Sequence, residues 1–133
     1  MSISAESRKY LIRTAACLCA AVFCMVIFLV YDQFSHGVRS FYMTFLWLPF
    51  LGDGLVQAAL AFVSPRFFSP WADRLFHAAT AAVTVGFLLR GVFDIAGTGS
   101  HYLPVFFVAG ALLGGASAGV YLRFRLTEKE EFK

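Results

Sequence analysis

Long stretches without charge constrain this chain more than any other feature. From Thr14 to Tyr31 no residue is charged, and the same holds from Tyr102 to Leu122. Between Ser40 and Val63 the one charged residue is Asp53. Between Leu75 and Ile95 only His77, Arg90 and Asp94 interrupt the apolar run. Each stretch matches the roughly 20 residues that the hydrocarbon core of a bilayer demands. The sequence therefore predicts an all-α chain, a four-helix transmembrane bundle with spans at about 14–31, 40–63, 75–95 and 102–122. Together they use up most of the 133 residues, so the chain reads as a single integral membrane domain, 1–133.

Composition agrees. With 59% hydrophobic and only 14% charged residues, the chain lacks the charge that a soluble surface of this size needs. The basic residues flank the apolar stretches instead of forming a face with interleaved aromatics, which argues against a nucleic-acid partner. With the N-terminus inside, the inner segments hold Arg8, Lys9, Arg13, Arg66, Arg74, Arg123, Arg125, Lys129 and Lys133, and the outer loops hold only Arg39. The positive-inside rule then places both termini in the cytoplasm. Short loops make the bundle up-down-up-down, in a plasma membrane of bacterial inner-membrane type.

Local signals refine the spans. Phe41, Tyr42, Phe45 and Trp47 form an interfacial aromatic belt at the start of the second span. Pro49 predicts a kink or local unwinding there. The first span starts with charge but runs into Phe28-Leu29-Val30-Tyr31 with no small-residue cleavage site, so it reads as a retained helix. Cys17, Cys19 and Cys24 all lie within it and read as packing residues. In the fourth span, Gly110 with Gly114 and Gly115 with Gly119 form overlapping G-x-x-x-G pairs suited to close helix packing. They serve packing within the chain, a homodimer, or both.

The charges inside the spans are the candidate site residues, because each costs roughly 2.5–3.5 kcal/mol at mid-helix on insertion scales. Arg90 and Asp94 stand four apart and share a helix face. Asp53, between Gly52 and Gly54, is expected to be protonated, hydrogen-bonded or paired with Arg90 across helices. His77 reads as an interfacial or packing residue.

A weak internal similarity links the two halves. Val30-Tyr31-Asp32 followed by Ser35-His36 resembles Val92-Phe93-Asp94 followed by Ser100-His101. As a duplicated hairpin it would gather Asp32, His36, Asp94 and His101 at the outer surface. That set suits a transition metal, or a haem held by His36 and His101, although nothing demands either cofactor.

No hydrolytic or phosphate-binding motif is present, so nothing calls for an enzyme. Three functions follow in order. The first is an accessory or structural subunit of a larger inner-membrane complex. The second is a small dimeric proton- or ion-coupled transporter or channel using Asp53 and Arg90. The third is a haem- or metal-binding redox protein using His36 and His101. The expected partners are the lipid bilayer and either a second copy or a membrane complex.

Overall fold

The computed structural model describes residues 5–63 and 69–131. Arg66 and Lys133, two of the residues that set the orientation, lie outside them. The described residues form helices α1 (Ala5–Phe34), α2 (Phe41–Thr44), α3 (Leu48–Val63), α4 (Pro70–Ile95) and α5 (Pro104–Glu131), with no strand among them. Four segments, Ser7–Phe34, Phe41–Phe62, Pro70–Ile95 and Pro104–Thr127, are long and apolar enough to cross a membrane.

The second span is broken, not merely kinked. Pro49 has no N–H to return to the Phe45 carbonyl, so the helix restarts around it. Leu46 N–H donates to Met43 O at 3.3 Å and Leu48 N–H to Phe45 O at 3.0 Å, the tight spacing of a turn. The Trp47 indole donates to Thr44 O at 2.9 Å, which satisfies one of the carbonyls left over at the break.

Turn chemistry ends α1 and α4. After α1, His36 (φ 50°) and Gly37 (φ 88°) adopt the left-handed conformation. After α4, Gly97 (φ 67°) does the same. Thr98 N–H reaches back to Phe93 O and Gly97 N–H to Asp94 O, at 3.0 and 3.4 Å. This pair of bonds is a Schellman motif, which glycine permits because it has no Cβ to clash.

Helix α4 is central. Along α5, Phe106 meets Gly86, Gly110 meets Val83, Gly114 meets Ala79, and Ser117 donates to Ala72 O at 2.7 Å. The partner numbers fall as the α5 numbers rise, so the two helices are antiparallel. Gly110 is needed there, since a Cβ would stand 2.5 Å from Val83 Cγ2. Gly115 and Gly119 meet nothing within 4 Å and leave their side of α5 uncovered. The two overlapping glycine pairs therefore divide: Gly110 and Gly114 face α4, and Gly115 and Gly119 do not.

Helix α1 packs on α3 near Gly54, where a Cβ would touch Cys17 Cβ at 3.3 Å. Gly91 of α4 lets the backbone of α2 approach, since a Cβ there would stand 3.0 Å from Met43 N. An apolar core of Cys24, Met43 and Leu46, surrounded by Phe28, Phe50 and Leu88 among others, fills the half of the bundle away from the chain ends. Leu29, Phe23, Leu112 and Leu122, with many other large apolar residues, stay exposed. Lipid is the solvent that would cover such a surface.

A buried polar network on three helices

The half of the bundle nearer the chain ends is polar inside. Three helices each present a pair of polar residues four apart, on one face: Arg13 and Cys17 on α1, Asp53 and Gln57 on α3, Asp73 and His77 on α4. Asp53, Gln57 and Asp73 are among the most deeply buried side chains of the chain, at 2%, 0% and 2% exposure.

Asp73 is the fully bonded member. Its Oδ2 accepts from Arg13 Nη1 and its Oδ1 accepts from Gln57 Nε2 at 2.7 Å. His77 Nε2 lies 3.5 Å from the same Oδ1. Asp53 is bonded on one side only. Its Oδ2 lies 2.6 Å from His77 Nδ1. Its Oδ1, and the Oε1 of Gln57, are buried with no hydrogen-bond partner. Buried acceptors in this state cost about 1–3 kcal/mol each, and they are the points at which a further donor or cation would be stabilised.

Two carboxylates, Asp53 and Asp73, face one guanidinium, Arg13, and one imidazole, His77. One proton held between His77 Nδ1 and Asp53 Oδ2 balances the set, and without it the network carries one negative charge that a cation would have to meet in the low-dielectric interior. Arg13 and His77, with 43% and 32% of their side chains exposed, are the members through which the network meets its surroundings.

A crevice of about 320 Å³ opens between α1, α3 and α4, lined by Ala20, Phe50, Ala81 and Thr84 among others. Its nearest lining residues, Ala20, Phe50 and Ala81, stand about one helical turn from Cys17, Asp53 and His77.

Of the states expected for Asp53, the structure shows the hydrogen-bonded one, with His77 as its partner, and not the pairing with Arg90. Arg90 lies thirteen residues beyond His77, roughly 20 Å along α4, and cannot reach the same point. It pairs instead with Asp94 at 3.1 Å, as its spacing implies, and stacks on Tyr42 with the guanidinium 5.7 Å from the ring centroid. Asp94 also accepts from Ser40 Oγ at 2.9 Å.

Asp32 pairs with Arg39 at 3.1 Å, while His36 and His101 are exposed in turns. Among the described residues, the one group of histidine, cysteine and acidic side chains close enough to share a metal ion is Cys17, Asp53 and His77. It contains none of Asp32, His36 and His101. Asp73, Gln57 and Arg13 were missed at the sequence level; each stands four residues from another member on its own helix, a spacing that gains meaning only once the three helices are brought together.

Comparison with known proteins adds no relative: no family matches the chain, and no curated protein or solved structure matches it either.

Proposed function

We propose that the chain is a small multi-pass membrane protein that binds and passes a cation, a proton- or ion-coupled transporter or channel with Asp53 and His77 at its binding site. The buried Asp53 carboxylate, paired with the titratable His77 on one oxygen and without a hydrogen-bond partner on the other, carries this reading. Ionisable groups inside membrane helices are costly and mark ion paths, and this pair can hold or release a proton in exchange for a cation. Arg90 has no part in the site, since its charge is spent on Asp94.

With the N-terminus inside, as the positive-inside pattern favours, both termini are cytoplasmic on this reading, in a membrane of bacterial inner-membrane type, and the network lies in the cytoplasmic half of the bilayer. The apolar core in the other half serves as a barrier that must part or hydrate for passage. Four helices give little room for alternating access, so a dimer fits the reading, with the uncovered Gly115 and Gly119 of α5 as its contact. An accessory-subunit role draws on the exposed apolar faces of α1 and α5, which lipid covers equally well.

Purified protein reconstituted into liposomes tests the reading, with internal dyes that report protons and divalent cations. Under an imposed membrane potential the wild type is expected to conduct at least one of these ions. Asp53→Asn is expected to reduce flux to the level of protein-free vesicles, and Arg90→Ala to leave it close to wild type. Wild-type vesicles that conduct neither ion, or flux that survives Asp53→Asn, would contradict the proposal.

A further inference from the structure

The network reading leaves open which cation occupies the site, and a third side chain bears on the choice. Cys17 sits one turn beyond Arg13 on α1 and is buried at 7% exposure. A donor atom from each of Cys17, Asp53 and His77 lies within 4.8 Å of the other two. We propose that Cys17 Sγ, an Asp53 carboxylate oxygen and His77 Nδ1 form a binding site for a divalent transition metal of the zinc class. The inference rests on the cation reading above and names the cation.

The donor set points to the metal class. One thiolate, one imidazole and one carboxylate form a mixed set that suits zinc and its neighbours, whereas magnesium and calcium take oxygen donors alone. Bond lengths of about 2.0–2.3 Å put the donors of a tetrahedral site roughly 3.3–3.8 Å apart. The three donors are already gathered from three helices, so small side-chain movements suffice. The Nδ1–Oδ2 contact of 2.6 Å must open to admit the ion. The group with the unpaired oxygen, Asp53, is the one that gains most from it.

A ligating imidazole generally turns its second nitrogen toward a carboxylate, which fixes the ring and strengthens the donor. With His77 binding through Nδ1, its Nε2 lies 3.5 Å from Asp73 Oδ1 and 3.4 Å from Gln57 Nε2, so a small turn of the Gln57 amide gives it the carboxylate. Asp73 is in turn held by Arg13 and Gln57. The structure thus contains both the inner donors and the carboxylate behind the histidine.

Charge also balances. On binding, the thiol of Cys17 gives up its proton to solvent and the sulfur bonds the metal. Any proton held between Nδ1 and Oδ2 leaves as well, and no electron is transferred. A divalent ion against the thiolate, Asp53 and the Arg13–Asp73 pair gives a neutral site. Three protein donors leave a fourth position for water or an exchangeable ligand, the open arrangement that a passing ion needs.

Cobalt(II) is the probe, because thiolate coordination gives it an intense charge-transfer absorption in the near ultraviolet. The full-length protein, purified in mild detergent and stripped with chelator, is expected to bind one cobalt per chain with that absorption, and zinc is expected to displace it. Cys17→Ser should abolish the band, while Cys19→Ser and Cys24→Ser should retain it. His77→Gln should weaken binding at least about tenfold even if a band remains. Retention of the gel-filtration peak by Cys17→Ser separates loss of a ligand from loss of the fold, and His77→Gln supplies a second variant on another helix.

Absence of the band from wild-type protein, or its survival in Cys17→Ser, would overturn the metal assignment. Asp53-dependent proton flux without cobalt binding would reject the metal and keep the cation reading. Cobalt binding at Cys17 with flux indifferent to Asp53 would keep the metal and reject transport.

Discussion

Asp73→Ala is expected to destabilise the protein by about 1–3 kcal/mol. The residue is 2% exposed and has both oxygens engaged. Its removal frees the Gln57 amide inside the bundle and takes away the carboxylate facing His77 Nε2, while Arg13, 43% exposed, loses its partner but not its outlet. The main cost is therefore the buried Gln57 donor left without an acceptor. Three helices lose a shared anchor at once. Thermal unfolding in mild detergent, followed with a thiol-reactive fluorophore that reads the buried Cys17 and Cys24, measures the effect. An unfolding temperature close to wild type would mean that Asp73 holds nothing together.

Asp53→Asn is expected to behave in the opposite way, though the two aspartates differ little in burial. Its stability should stay within about 1 kcal/mol of wild type or rise, while flux disappears. Asp53 has one bonded oxygen and one bare one, and it supplies the carboxylate charge beside His77. The near-isosteric amide still accepts from His77 Nδ1 and removes that charge. Groups kept for function often cost stability, and replacing them restores it. The same melting assay distinguishes the two residues: a structural aspartate and a functional one respond with opposite signs. A large loss for Asp53→Asn would place it with Asp73 as a strut.

The four helices long and apolar enough to cross a membrane were legible in the sequence, because that property depends on composition over about twenty residues at a time. The break near Pro49 was legible too, since it follows from one missing N–H. The Arg90–Asp94 pair was readable because both ends lie on one helix. The site itself was not, and the reason is geometric. Asp53 and His77 are twenty-four residues apart on different helices, and no local pattern says which face of α3 turns toward which face of α4. The attraction of Arg90 as a partner came from charge alone, without the roughly 20 Å of helix that separates it from His77. The similarity between Val30-Tyr31-Asp32 and Val92-Phe93-Asp94 also fell short as a guide. Both segments end a helix before a turn with a left-handed glycine, but Asp32 turns to Arg39, and Asp94 to Ser40 and Arg90. Their shared letters mark how the helices stop, a task that turn chemistry explains without a common ligand.

Infrared difference spectroscopy of the protein in bilayers tests the central claim most directly. Spectra are recorded across a pH step and across addition of zinc, because either ion could complete the site. An ion-dependent carboxyl or carboxylate band is predicted in the wild type. It should vanish in Asp53→Asn and persist in Asp32→Asn and Asp94→Asn. A band that outlives Asp53→Asn, or a wild-type spectrum without one under either condition, would contradict the claim that Asp53 is where the cation binds.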